Sequence, residues 1–299
     1  MQAELPIHRA RLEALGYDVL SPDLGGRQQF TAAELLGMSP EIVGIIAGDD
    51  ELSSEFFHGA APHLRSVVRW GIGVDSVDFD AAAATGVSVT NTPGVFGGEV
   101  ADAAMAYLLA LARGTASVDR AVRHGDWPKH EGISLEGASI GVIGLGSIGR
   151  QVVRRATGFG SRILGYDPFP SSDLPDISLV SLEEIAARSR FVVLCCPLTP
   201  DTHHLIDAAF LGAMSRDAYL VNVARGPVVD EDALAEALRN GRIAGAALDV
   251  FEVEPLPAES PLRELPNVVL GAHNGSNTRE GVARASAVAV DLLIEGLTL

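Results

Sequence analysis

The sequence predicts an α/β protein made of two parallel-sheet domains. Short β-rich runs alternate with Ala- and Leu-rich helical runs along most of the 299 residues. Such alternation is typical of mainly parallel sheets that are covered by helices on both faces. The length suffices for two domains. A hydrophobic content of 47% with 32 glycines indicates a large core cut by many turns.

The amino-terminal block is expected to form the first sheet. Its strand candidates are the runs EIVGIIAG, LRSVVRWG and GVSVTN, and its helix candidates are PIHRARLEALG, SSEFFHGAA and DFDAAAATG. The stretch from Glu99 to Gly125 is apolar nearly all round, so we expect one long buried helix there, packed against the core or a second subunit.

A second alternating block begins at Ala138 and predicts the second sheet. Its strand candidates are ASIGVIG, RILGYD, FVVLCC, AYLVNVA, AGAALDV and NVVLGA. The run SLEE, Ser181 to Glu184, is a capping box that opens an intervening helix. A final helix is expected from about Thr278.

Charge and cysteine content exclude several classes of function. The formal net charge of −17 predicts a surface that repels nucleic acid and anionic membranes. Cys195 and Cys196 are adjacent in an apolar run, which is neither a disulfide framework nor a metal-ligand spacing. We expect small buried side chains in a reducing cytoplasm, no bound metal, and neither a signal region nor a membrane span.

A glycine-rich segment predicts a dinucleotide site. Gly144-x-Gly146-x-x-Gly149 follows a strand candidate and opens a helix, so the helix N-terminus would face a pyrophosphate. Asp167 ends the next strand, where an acid binds an adenosine ribose and repels a 2′-phosphate. This favours NAD over NADP; the alternative is a structural turn beside a surface aspartate. The cofactor contacts expected here are Gly144, Gly146, Ser147, Ile148, Gly149 and Asp167.

Three consecutive strand ends carry residues suited to acid–base chemistry. Arg225 precedes a Gly–Pro turn, and its planar fork suits capture of a carboxylate. Asp249 and Glu254 follow the next strand, and His273 the one after. A carboxylate beside an imidazole orients the ring and favours its protonated form. Each residue alone fits a turn, a cap, a solvated acid or a core histidine; together, beside the glycine-rich segment, they favour an active site.

The sequence resembles the NAD-dependent D-isomer-specific 2-hydroxyacid dehydrogenases, and within them the phosphoglycerate dehydrogenase-like branch. The resemblance is carried by RWGIGVDSVD, GLGSIGR, YDP, PLTPDTHHLID, NVARGPVVDEDALAEAL, AALDVFEVEP and AHNGSNTREGV, which span nearly the whole chain in the family's order. It implies hydride transfer between NAD(H) and a small D-2-hydroxy or 2-oxo acid.

The resemblance also implies roles for individual residues. Arg225 would bind the substrate carboxylate, His273 would act as general acid or base, and Glu254 would pair with His273. Asp249 would contact the nicotinamide end of the cofactor. Further cofactor contacts would be Pro197, Thr202, Val223 and Ala224, and the substrate would also contact Ile72, Gly73 and Val74.

The family fold implies two Rossmann-like or flavodoxin-like domains with the active site in the cleft between them. Residues 1–94 and 277–299 would form the substrate domain, and residues 95–276 would bind NAD. A homodimer joined through the NAD-binding domain is implied as well. The acids Asp49 and Asp50 fall where the substrate loop often has small residues, which argues against a second anionic group on the substrate unless Arg65 or Arg69 offsets them.

Two other functions fit the same motifs. Some relatives with this fold bind dinucleotide as corepressor-like sensors without significant turnover. Phosphite oxidation on the same scaffold also retains a glutamate partner for the histidine, whereas formate oxidation pairs the histidine with an amide, so Glu254 argues against formate.

Overall fold

The computed structural model describes residues 4–25, 27, 29–38, 41–170 and 177–298, in two compact units. Unit 1 combines Met1–Phe96 with Asn277–Leu299, and unit 2 is Gly97–Ser276. The fold class is confirmed: every strand pairing in the two sheets is parallel.

Unit 1 contains a three-stranded sheet in the order β1-β2-β3. The strands are β1 Gly44–Ala47, β2 Ser66–Arg69 and β3 Ser88–Asn91, and all three lie in the predicted runs. The helices are α1 Leu5–Glu13, α2 Ala32–Met38, α3 Ser54–Ala60, α4 Phe79–Thr85 and α11 Arg279–Thr298. One hydrophobic cluster is built around Phe56 and Phe57 of α3, and another joins Val68 of β2 to apolar residues of α11.

Unit 2 contains a seven-stranded sheet in the order β10-β9-β8-β7-β4-β5-β6. The strands are β4 Ser139–Ile143, β5 Arg162–Tyr166, β6 Ser178–Leu179, β7 Phe191–Leu194, β8 Tyr219–Asn222, β9 Gly245–Leu248 and β10 Val268–Leu270. The helices are α5 Gly97–Arg113, α6 Thr115–Arg123, α7 Ser147–Gly158, α8 Leu182–Arg188, α9 Ala208–Ala213 and α10 Glu231–Arg239. Two 3-10 helices span Gly226–Val228 and Pro261–Glu264.

The sheet of unit 2 reverses its strand order at β4, which has β5 on one side and β7 on the other. In open parallel sheets, ligands bind outside the carboxyl ends of the strands at this switch point. The glycine-rich segment begins directly after β4. The fold therefore places the predicted dinucleotide site where such sheets bind their ligands.

The prediction of one long buried helix from Glu99 is wrong. Helix α5 ends at Arg113, and Gly114 has a left-handed φ of 59° before α6 begins. A side chain at Gly114 would collide with the His130 ring, since its Cβ would lie 2.6 Å from that ring. Glycine adopts positive φ without steric cost, so the chain breaks the helix here. Helix α5 is buried along one face, whereas α6 has no buried residue.

Smaller expectations have clear outcomes. The capping box is confirmed, since the Ser181 side chain accepts the Glu184 N–H and the Glu184 side chain accepts the Ser181 N–H. Both cysteines were expected to be buried, but Cys195 is only partly buried. Cys196 is buried, and burial raises the pKa of its thiol to about 11. Of the helices in the described ranges, none has both the length and the apolar character that crossing a membrane requires.

Candidate active site

The predicted site residues of unit 2 all follow strands at one edge of its sheet. Because the strands are parallel, their carboxyl ends lie on the same side. The glycine-rich turn follows β4, and loops with predicted site residues follow the five strands β5, β7, β8, β9 and β10. These residues are Asp167 after β5, Pro197 and Thr202 after β7, Val223, Ala224 and Arg225 after β8, Asp249 and Glu254 after β9, and His273 after β10.

The glycine-rich turn has steric reasons for two of its glycines. Gly144 has φ 90°, and a Cβ there would lie 2.6 Å from the Cys196 backbone nitrogen. A Cβ on Gly149 would lie 1.9 Å from the Gly144 carbonyl oxygen. A Cβ on Gly146 would meet nothing within 4 Å, so the space beside this glycine is open to a ligand. The arrangement fits an approaching pyrophosphate, because the N–H groups of the first turn of α7 have no acceptor within the helix.

Asp167 connects the glycine-rich turn to the end of β5. Its Oδ2 accepts the Leu145 N–H at 2.8 Å, and its Oδ1 accepts the Phe169 N–H at 2.8 Å. The side chain is half-buried. The carboxylate thus lies next to the turn that would hold the pyrophosphate, where an adenosine ribose is expected.

The remaining predicted cofactor residues lie on the loops after β7 and β8. Thr202 Oγ1 donates to the Pro197 carbonyl at 2.7 Å and accepts the Thr199 N–H at 2.8 Å, which closes the Pro197–Thr202 turn. Val223 and Ala224 are buried, and the Ala224 N–H donates to the Asn222 side chain at 3.0 Å. Their contacts with a cofactor stay a prediction.

His273 and Glu254 form a direct pair. His273 Nδ1 lies 2.7 Å from Glu254 Oε2, and both side chains are largely buried. The other carboxylate oxygen of Glu254 accepts the Phe251 N–H at 2.9 Å, which fixes the acid. A carboxylate at Nδ1 selects the tautomer that carries a proton there, so Nε2 is the nitrogen suited to exchange a proton with a substrate.

His273 has an unusual backbone conformation. Its φ is 50°, in the left-handed region that costs a non-glycine residue about 1–2 kcal/mol. Its N–H donates to the Asp249 carbonyl at 2.6 Å. Strained backbone of this kind concentrates at functional sites, where the surrounding contacts impose it.

Asp249 is buried, with 2% of its surface exposed. Its carboxylate accepts hydrogen bonds from Tyr107 Oη at 2.7 Å, the Asn274 N–H at 3.2 Å and the Gly275 N–H at 2.8 Å. This places Asp249 as the support of the loop that carries His273. The predicted contact with nicotinamide stays a prediction.

Arg225 lies three residues beyond the end of β8 and is half-buried. Its Nη1 donates to the Ala224 carbonyl at 2.9 Å, and its own carbonyl accepts from the Asn222 side chain at 2.9 Å. A Cβ on Gly226 would lie 1.8 Å from the Phe251 carbonyl carbon. The segment that carries Arg225 therefore packs directly on the loop that carries Glu254.

The substrate loop predicted in unit 1 is held by the strand beside it. The Gly71 N–H donates to Thr92 Oγ1 at 2.8 Å, and Asn91 donates to the Ile72 carbonyl at 2.9 Å. Ile72, Gly73 and Val74 are half-buried. Their contacts with a substrate stay a prediction.

The two acids before the substrate loop are both matched inside unit 1. Asp49 forms an ion pair with the buried Arg69. Asp50 accepts the N–H groups of Phe30 at 2.9 Å and Gly48 at 2.8 Å. Arg69 therefore offsets the charge of Asp49, and its guanidinium is already paired with a carboxylate.

Sequence reasoning did not find Tyr107 or Gly271. Tyr107 is a polar aromatic residue within the apolar helix α5, which is the one signal that could have drawn attention to it. Gly271 lies two residues before the histidine, where a glycine has no evident purpose until its neighbours are known. Within the described ranges, no group of three or more His, Cys, Asp or Glu side chains is arranged to hold a metal ion.

Comparisons with known proteins identify similar chains. A family model described as the D-isomer specific 2-hydroxyacid dehydrogenase NAD-binding domain matches residues 105–275. The chain is 44% identical over 254 residues to a glyoxylate reductase of Korarchaeum cryptofilum, covering 82% of this chain and 76% of that protein. It is 40% identical over 237 residues to a D-3-phosphoglycerate dehydrogenase of Methanocaldococcus jannaschii, covering 77% of this chain and 45% of that protein.

Solved structures show the same similarity. The TT0316 protein from Thermus thermophilus matches with a TM-score of 0.89 and 38% identity, covering 98% of this chain and 94% of that one. A D-lactate dehydrogenase from Aquifex aeolicus, solved with NAD and lactic acid, matches with a TM-score of 0.88 and 26% identity, covering 99% of this chain and 93% of that one.

Proposed function

Because the chain belongs to the D-isomer specific 2-hydroxyacid dehydrogenases, which use NAD, we propose that it reduces a small, singly charged 2-oxo acid such as glyoxylate, with His273, Glu254 and Arg225 as its catalytic residues. The observation that carries the proposal is the 2.7 Å contact between His273 Nδ1 and Glu254 Oε2, at the sheet edge where the glycine-rich turn lies. Relatives that are named glyoxylate reductase support the choice of substrate.

The catalytic residues divide the work between binding and proton transfer. Bound NADH supplies the hydride. Arg225 binds the substrate carboxylate through its planar fork and polarises the carbonyl. His273 donates the Nε2 proton to the carbonyl oxygen, and the adjacent Glu254 carboxylate stabilises the charged ring before that transfer. In the reverse direction the neutral ring accepts the hydroxyl proton.

We propose that unit 2 binds NAD and that unit 1 contributes contacts to the substrate. The open space beside Gly146 and the first turn of α7 fit a pyrophosphate. Asp167 fits a ribose with free hydroxyl groups and would repel a 2′-phosphate. Ser147, Ile148, Pro197, Thr202, Val223, Ala224 and Asp249 complete the proposed cofactor contacts, and Ile72, Gly73 and Val74 the proposed substrate contacts.

The ion pair of Asp49 with Arg69 supports a substrate with one negative charge. The Arg69 guanidinium beside the predicted substrate loop is already paired with Asp49, so its charge is not available to a second anionic group of the substrate. A phosphorylated or dicarboxylic oxo acid is therefore disfavoured.

A substrate panel tests the proposal. Purified protein is expected to oxidise NADH with glyoxylate, hydroxypyruvate or pyruvate, measured by absorbance. The kcat/KM is expected to be at least about 100-fold lower with phosphohydroxypyruvate or oxaloacetate, and at least about tenfold lower with NADPH, because each adds an unmatched anion. In reverse, D-lactate or D-glycerate should react and the L-isomers should not.

Each contrary result of the panel has a definite meaning. Tight NADH binding without turnover of any oxo acid would favour the sensor function. Reduction of NAD by phosphite alone would favour a phosphite dehydrogenase. Preference for a phosphorylated acid would refute the part assigned to Asp49.

We also propose a cytoplasmic homodimer joined through unit 2. Helix α6 has no buried residue, and Val122 and Trp127 expose 43% and 76% of their surface, as interface residues of an isolated chain would. Light scattering should give twice the 31.3 kDa chain mass. Trp127→Lys should weaken the dimer and Leu20→Lys, an exposed apolar residue of unit 1, should not; a wild-type monomer refutes the proposal.

A further inference from the structure

Tyr107 connects helix α5 to the loop that carries the histidine. Helix α5, which carries Tyr107, packs beside β8, β9 and β10. The Tyr107 hydroxyl donates to Asp249 Oδ1 at 2.7 Å, across 142 residues of sequence. A hydrogen bond to an ionised carboxylate is among the stronger ones in proteins.

Asp249 in turn accepts hydrogen bonds from the N–H groups of three consecutive residues. Its backbone carbonyl accepts the His273 N–H at 2.6 Å, Oδ1 accepts the Asn274 N–H at 3.2 Å and Oδ2 accepts the Gly275 N–H at 2.8 Å. The orientation of the Asp249 side chain thus fixes the backbone on the carboxyl side of the histidine. Since His273 is held at a φ of 50°, its ring direction depends on these contacts.

Gly271 leaves the space that the tyrosine hydroxyl occupies. A Cβ at this position would lie 2.1 Å from Tyr107 Oη and 2.4 Å from Asp249 Oδ1. Any side chain would push the phenol away from the carboxylate or turn the carboxylate away from the loop. The absence of a side chain at residue 271 and the hydroxyl at residue 107 are therefore two parts of one arrangement.

The Tyr107 hydroxyl stays a hydrogen-bond donor at neutral and mildly alkaline pH. Burial, with the neighbouring Asp249 carboxylate as a further cause, raises the pKa of Tyr107 well above its ordinary value. The hydroxyl is therefore protonated at neutral and mildly alkaline pH, and Asp249 keeps its hydrogen bond.

We propose that Tyr107 is a positioning residue for the proton donor: its hydroxyl fixes Asp249, Asp249 fixes the 273–275 loop, and Gly271 provides the room for this contact. The inference rests on the proposed catalytic role of His273. It adds a residue from α5 that neither touches the reacting atoms nor belongs to the predicted site.

The main test is Tyr107→Phe, which removes one oxygen and keeps the ring. We expect kcat for glyoxylate reduction to fall about tenfold, because small misplacements of a catalytic group are costly. The KM for glyoxylate should stay within about twofold, since Arg225, the proposed carboxylate-binding group, is unchanged. The matched control is Tyr219→Phe, because Tyr219 stacks on Phe191 at the opposite end of β8. This control should keep kcat within about twofold.

A double-mutant cycle tests the part assigned to Gly271. Gly271→Ala is expected to lower kcat more in the wild type than in the Tyr107→Phe background, where the closer of the two obstructing oxygens is gone. Strict additivity of the two effects would contradict a shared arrangement, because residues in direct contact are expected to couple.

A second readout does not depend on turnover. In protein labelled with ¹⁵N-histidine, the imidazole signals of His273 are identified by their loss in His273→Asn. They should shift in Tyr107→Phe and stay in place in Tyr219→Phe. If the wild type reduces no oxo acid, the proposed function fails while this spectrum still decides the inference. Unmoved His273 signals, or equal effects of the two tyrosine variants on kcat, overturn it.

Discussion

His273→Asn is expected to lower kcat for oxo-acid reduction by about 1000-fold, the middle of the range for loss of a general acid. Asparagine tolerates the left-handed backbone that this position requires, so the fold should be retained. The amide cannot supply a proton at neutral pH, however well it mimics the hydrogen bond to Glu254. The measurement is steady-state NADH oxidation under saturating glyoxylate, with NADH affinity followed by fluorescence.

Two controls make this result specific. NADH should bind the variant within about threefold of the wild type, because the glycine-rich turn is unchanged. His124→Asn replaces an exposed histidine at the end of α6 and should leave kcat unaffected. A His273→Asn protein that keeps a tenth or more of wild-type turnover would remove the histidine from the mechanism.

The fold and the placement of the site could be predicted because both depend on local patterns. A buried parallel strand is a short apolar run, and each of the β4, β8, β9 and β10 runs ends in a residue with distinctive chemistry. Parallel pairing then brings those ends to one edge whatever the details of packing. The Gly144–Gly149 spacing could also be interpreted from sequence, because Gly144 and Gly149 have steric reasons in the turn itself and Gly146 leaves open space beside it.

What could not be predicted depends on contacts between distant residues. The bond from Tyr107 to Asp249 requires knowing which face of α5 meets the sheet, and an apolar helix gives little periodic signal for that. The break at Gly114 was missed because one glycine inside a helical pattern costs only about 1 kcal/mol and is often tolerated. Here the left-handed turn and the adjacent His130 ring settle the conformation.

Arg225→Met is expected to lower kcat/KM for glyoxylate by about 1000-fold, with most of the loss in KM. A charge-assisted bidentate contact with a carboxylate is roughly twice as strong as neutral hydrogen bonds, and the substrate here is little more than its carboxylate and carbonyl. Arg225→Lys keeps the charge but loses the planar fork, so we expect an intermediate loss of about 100-fold. The order arginine, lysine, methionine is therefore itself a prediction.

The position of Arg225 makes it possible to test whether the loss of activity comes from damage to the fold. Its backbone carbonyl accepts from Asn222, and Gly226 packs on the Phe251 backbone, and neither contact uses the guanidinium. The thermal midpoints of the variants should consequently stay close to that of Arg239→Met, which removes the same side chain from the end of α10. A KM for glyoxylate that is unchanged in Arg225→Met would mean that another cation holds the carboxylate. In that case Arg69 would be the next cation to test. Asp49→Asn removes the carboxylate that pairs with Arg69, so this variant would strengthen any anion binding at that guanidinium.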